Sequence, residues 1–112
     1  MKLPVINLFK APKYQLVLEF QGDSPENFDR VIAIEEKLEK LLRNGEVDGH
    51  DVGQGIVNIF IITKHPERCF EETMRHIKGS EPKPSAAGYR NLNEDDYIRV
   101  WPQGDSTPFE LK

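Results

Sequence analysis

Residues 56 to 63 read IVNIFIIT, a nearly continuous run of apolar and β-branched side chains broken only by Asn58. The run is too short for an ordinary helix and lacks the alternation of a half-wet strand, so it predicts a central strand covered on both faces. A chain that carries such a strand needs neighbours on both of its edges and apolar cover above and below. The remaining segments have to provide them.

YQLVLEF, residues 14 to 20, supplies the first neighbour. Tyr14, Leu16, Leu18 and Phe20 fall on one side and Gln15, Val17 and Glu19 on the other, the period of a strand with one face buried. GDSP follows, with Ser24 as an N-cap and Pro25 at the first helical position, where its missing N–H costs nothing. Phe28, Val31, Ile32, Ile34, Leu38, Leu41 and Leu42 then recur at helical spacing, which predicts a helix over 25–43 that Gly45 stops. After the central run, Pro66 opens a second helix with Phe70, Thr73, Met74 and Ile77 on one stripe, ending near Lys78-Gly79. KGSEPKPS, 78 to 85, is a linker, and AAGYRNL and YIRVWP flank NEDD as two strands joined by a polar turn.

The order strand, helix, strand, strand, helix, strand, strand is that of an α+β ferredoxin-like split βαβ sandwich (βαββαβ) with one extra C-terminal strand. Two helices then cover one face of an antiparallel sheet, and the other face is free for function. The 112 residues make one domain, with a core over about 14–102, an N-terminal arm 1–13 and a tail 103–112 without clear structure.

EVDGHDVGQG, 46 to 55, concentrates three carboxylates, one imidazole and three glycines. Its place between helix and central strand calls for an edge strand and a tight return. Gly53 and Gly55 therefore read as hairpin glycines with positive φ, and Gly49 as a bulge. The functional alternative puts Asp48 and His50 on one strand face, with Asp51 as their partner, as a polar or metal-binding anchor. His65 and His76 stand at no ligand-like spacing from it, so no metal or other cofactor is expected.

Pairing the last two strands about NEDD sets Leu92 against Tyr97, Arg90 against Arg99 and Gly88 against Trp101. Arg90, Arg99 and Trp101 then join Glu19 on the free face. Two facing arginines repel unless an anion or Glu19 lies between them, so they form either a surface network or an anion clamp walled by Trp101. With Val17 and one of Ile59 or Phe60 that face is too apolar to stay bare. VINLF near the N-terminus, PFEL in the tail or a second subunit would cover it, and a homodimer is the favoured expectation. Asn58 reads as a hydrogen-bonded amide that could also contact a ligand, and Cys69 as an inert thiol.

With 15 Lys and Arg against 19 Asp and Glu, and no basic block, the chain lacks the cation stripe that nucleic-acid binding needs. No stretch approaches a membrane span, the N-terminus lacks a signal-peptide core, and a single cysteine suits a reducing compartment. A cytoplasmic location is expected. VDGHDVGQGIVNIFIIT, with AAGYR and IRVWP, resembles a group of small uncharacterised bacterial proteins that share this order of motifs over residues 14 to 102. The resemblance implies a bacterial α+β sandwich and brings no activity or catalytic residues. GDSP is similar to the strand-to-helix turn of amino-acid-binding ACT domains, but Glu26 stands where those usually carry glycine.

These features favour a non-enzymatic binding or regulatory module that holds a small anionic ligand or a protein partner. Its site would comprise Asp48, His50, Asp51, Asn58, Arg90, Arg99, Trp101 and Glu19. The alternatives are a cofactor-independent enzyme similar to dimeric ferredoxin-like monooxygenases, with Asn58, His50, Trp101 and an arginine around an enclosed substrate, and an immunity-type inhibitor.

Overall fold

The structure, a computed structural model, describes residues 13–111. Five strands, β1 (Tyr14–Gln21), β2 (Glu46–Gly53), β3 (Ile56–Thr63), β4 (Ala86–Asn91) and β5 (Ile98–Trp101), and two helices, α1 (Pro25–Leu41) and α2 (Pro66–His76), follow the predicted order. The sheet runs β2-β3-β1-β4-β5 with every pairing antiparallel. This is the ferredoxin-like arrangement, with β5 as the added strand beyond β4. Among the described residues no helix is long and apolar enough to cross a membrane.

β1 and β3 are the two inner strands of the split unit, and their register sets which side chain meets which helix. Leu18 lies opposite Ile59, Leu16 opposite Ile61 and Phe20 opposite Val57. All six point to the helices, where Val31, Ile34 and Leu38 of α1 and Cys69 and Phe70 of α2 close over them. Each fully buried side chain of this size stabilises by roughly 1.5–3 kcal/mol, so this layer dominates the fold. Ser24 caps α1 by accepting from the N–H of Asn27, with Pro25 next, as the sequence dictates. The helix closes at Leu41, two residues before its predicted end at Arg43. Gly45 has a role other than termination: a Cβ there would lie 2.9 Å from both Cys69 Sγ and Ile61 Cγ2. The bare backbone lets the loop after α1 press against β3.

The hairpin between β2 and β3 forms as read, with one reassignment. Positive φ falls on Gln54 (54°) and Gly55 (78°) rather than on Gly53, which makes a two-residue turn of the hand that suits twisted strands. Gly49, at φ 120°, marks a bulge in β2 as expected.

The opposite face is covered on its β4–β5 side by the chain's own tail. Phe109 is buried and packs with Val17 and Ala86, while Phe60 and Tyr97 close around it. Among the described residues the tail forms no helix or strand, as expected, and PFEL stood among the covers proposed for this face. VINLF lies outside the described residues. Gly88 makes the seat for Phe109, because a Cβ there would come within 2.6 Å of its ring. Arg99 fastens the segment from Nε to Thr107 O (2.8 Å) and from Nη2 to Pro108 O (3.2 Å), with its guanidinium 5.7 Å from the Phe109 ring centroid. Phe109→Ala should therefore cost about 3 kcal/mol in chemical denaturation, whereas Leu111→Ala, which touches no such seat, should change stability by less than about 0.5 kcal/mol.

Candidate functional site

Two β-bulges decide where the side chains singled out in the sequence fall. In β2, Val47 pairs with Ile61 and Gly49 with Phe60, so Asp48 is the extra residue of the bulge. His50 then points to the helices, where its Nδ1 lies 2.8 Å from Oε1 of the buried Glu35, and its ring meets Phe28 edge to face. Asp51, one residue on, points to the other face and accepts from Asn58 Nδ2 at 3.1 Å. Asp48, His50 and Asp51 therefore do not converge. The pairing of Asp48 with His50 on one strand face fails because the bulge breaks the period on which it depended. Among the described residues no group of three His, Cys, Asp or Glu side chains is placed to hold a metal ion.

In β5 the register differs from the symmetric pairing about NEDD. Ile98 lies opposite Tyr89, Arg99 opposite Gly88 and Trp101 opposite Ala87, with the bulge between the last two pairs. Arg90 sits opposite Gln15 instead of Arg99. Its Nε donates to Gln15 Oε1 and its Nη1 to the carbonyls of Leu92 and Glu94, which ties down the turn before β5. Arg99 holds the tail. The two arginines thus form no facing clamp, and both are engaged with uncharged acceptors. Trp101 is turned by the bulge onto the helix side, where its ring tilts against Phe70 at 6.1 Å and its Nε1 donates to Pro84 O at 3.1 Å. It walls no site on the free face.

Glu19 and Asn58 do share the free face, paired across β1 and β3, and both are buried. Glu19 accepts from Ser85 Oγ at 3.0 Å and lines a cavity of about 390 Å³ beneath the tail together with Arg99 and Phe109. The enzyme reading asked Asn58, His50 and Trp101 to surround one substrate. Asn58 is on one face of the sheet, and His50 and Trp101 are on the other at opposite edges.

A different constellation assembles at the end of the sheet where β1 and β2 begin and β3 ends. Lys13, Arg43, Asn44, Gly45, Glu46, Ile62, Thr63, Lys64 and His65 enclose an open pocket of about 430 Å³. Among the described residues three full cations and one imidazole line it with a single carboxylate, on a chain whose net charge is −4. These residues come from three separate stretches and form no motif. The signal available in the sequence was topological, because a split βαβ unit brings the start of its first strand, the end of its first helix and the end of its third strand to the same edge.

The wall of this pocket is set by a buried carboxylate. Glu72 on α2 accepts from the backbone N–H groups of Arg43 and Asn44, both at 2.9 Å, from Asn44 Nδ2 at 3.0 Å, and lies 2.9 Å from His76 Nε2. Burial alone would push its carboxyl up. The donors from Asn44, His76 and Arg43 outweigh that and hold it down at about 2. Thr63 completes the loop: its hydroxyl donates to Asn44 O and accepts from the N–H of His65. Behind it, desolvation raises the Cys69 thiol to about 11, with the Glu72 charge adding to the effect and the Thr63 and Thr73 hydroxyls opposing it. The thiol has no nucleophilic character near neutral pH.

No protein-family model, curated protein or solved structure matches the chain.

The Glu72 carboxyl titrates lower in the folded protein than its ordinary 4.5, so its contribution is complete above about pH 4.5 and is lost as the pH falls towards 2. The contribution is on the order of 3 kcal/mol. Glu72→Gln should lose most of it at neutral pH and flatten the stability profile between pH 4.5 and 2, as followed by urea unfolding across that range.

Proposed function

We propose that this chain is a non-enzymatic binding module for a small anionic ligand, held at the pocket between the loop after α1 and the turn from β3 into α2. The observation that carries this reading is the concentration of Lys13, Arg43, Lys64 and His65 around one hollow of an otherwise acidic protein. Cations that outnumber the carboxylate beside them repel, and a bound carboxylate or phosphate relieves that repulsion by accepting charge-assisted hydrogen bonds. The loop that presents Arg43 is already fixed by Glu72, so little ordering is left to oppose binding. Arg90 and Arg99, first favoured as the anion clamp, spend their donors on Gln15 and on carbonyl groups, which moves the reading from the free face to this edge.

Thermal shift and calorimetry with inorganic phosphate and small carboxylates test it. A ligand at 100 times its dissociation constant should stabilise the protein by about 2.7 kcal/mol. The affinity should fall as salt rises, and Arg43→Ala or Lys64→Ala should weaken it at least tenfold without lowering stability by more than about 0.5 kcal/mol, since both side chains are exposed. Unaltered binding in both variants, or no binding of any anion, would falsify the assignment.

A further inference from the structure

The basic pocket has a neighbour of different chemistry. Tyr14, Lys64, His65, Pro66, Glu67, Arg68, Tyr89 and Ile98 enclose a second hollow of about 450 Å³, and Lys64 and His65 belong to the walls of both. Its far side is apolar: Tyr14 and Tyr89 meet edge to face with centroids 5.7 Å apart, and Ile98 is 57% exposed beside them, the most exposed of the large hydrophobic side chains described. An exposed isoleucine next to a pair of rings at the mouth of a hollow is apolar surface that a ligand would remove from water. A bare phosphate or carboxylate in the first pocket would leave that surface wet.

Charge sets the direction in which a ligand would lie. Among the described residues the first pocket holds Lys13 and Arg43 besides the shared Lys64 and His65, against Glu46. In the second pocket Arg68 is offset by Glu67, so only the shared wall is basic. The Glu67 carboxylate is near enough to Tyr89 to help raise the phenol above its ordinary value, after desolvation and ahead of Tyr14. An anionic head is therefore favoured in the first hollow over the second. A flat apolar body suits the second, because an aromatic ring can pack against Tyr14, Tyr89 and the Ile98 side chain in offset or edge-to-face geometry.

We infer that the ligand of this module is an aryl anion, with its carboxylate or phosphate at Lys13, Arg43, Lys64 and His65 and its ring against Tyr14, Tyr89 and Ile98. The inference rests on the binding reading above and narrows it to a ligand class.

Calorimetry of the full chain with four probes separates the two. Phenylacetate should bind at least tenfold more tightly than acetate, and phenyl phosphate at least tenfold more tightly than inorganic phosphate. The better of the two aryl probes identifies the head group. Ile98→Ser, which removes the apolar surface without adding charge, should abolish the tenfold preference and leave inorganic phosphate binding unchanged, whereas Arg43→Ala should weaken aryl and bare anions alike. Because Ile98 is exposed, its variant should fold normally; Tyr89→Ala, whose ring also touches the core, serves as the second variant, with inorganic phosphate affinity as the check on folding. Equal affinities for aryl and bare anions, or a preference that survives both Ile98→Ser and Tyr89→Ala, would overturn the aryl assignment and leave the anion site standing. Failure of all four probes to bind would overturn both.

Discussion

The carboxylate of Glu72 is the point on which the geometry of the candidate site depends. It is buried, yet it is held ionised by two successive backbone N–H groups, a side-chain amide and His76. An unpaired carboxylate in that position would be intolerable, and four donors convert the burden into a directional tie. The tie links α2 to the residues that follow α1, two segments that share few other polar contacts. Removing one side of it leaves either a buried charge or a set of orphaned N–H groups, so both sides are fixed together. Arg43 and the backbone of Asn44 and Gly45 thus stand as one rigid wall, pressed on β3 by the missing side chain at Gly45.

The same sheet shows which kinds of sequence pattern survive folding and which do not. IVNIFIIT forms β3 with the bounds its composition implies, because only a strand covered on both sides can bury so many apolar groups. Ser24 with Pro25 starts α1 for local reasons that no tertiary contact overrides. By contrast, every inference that counted alternate residues through a bulge went astray. One inserted residue reverses the faces of all that follow, so Asp48 and His50 separate and Trp101 leaves the free face for Phe70. Gly49 announced the first bulge through its need for positive φ, whereas nothing local marks the one before Trp101. Its cause is tertiary: the indole has a ring to pack on and a carbonyl to meet on the helix side.

Phe109 was legible only as one of several possible covers for the free face. A single aromatic in QGDSTPFELK has no period, and its burial depends on Gly88 being bare and on Arg99 spending its donors on the Thr107 and Pro108 carbonyls. Once the tail is seated, the arginine that looked like a ligand anchor becomes a clasp for backbone carbonyls. The basic pocket was hidden differently, since Lys13, Arg43 and Lys64 are unremarkable singly and gain meaning only from the topology that gathers them.

That gathering carries an electrostatic cost. Self-repulsion among like charges opposes holding Lys13, Arg43 and Lys64 around one hollow, and an acidic protein has carboxylates to spare for neutralising them. Among the described residues Glu46 is the one carboxylate lining the pocket, while Glu72, tied to this loop, is turned inward and accepts from its backbone donors. The loop after α1 therefore keeps its internal anion for structure and leaves the cations of the rim without a full complement. A negative charge supplied from solution is what would complete it.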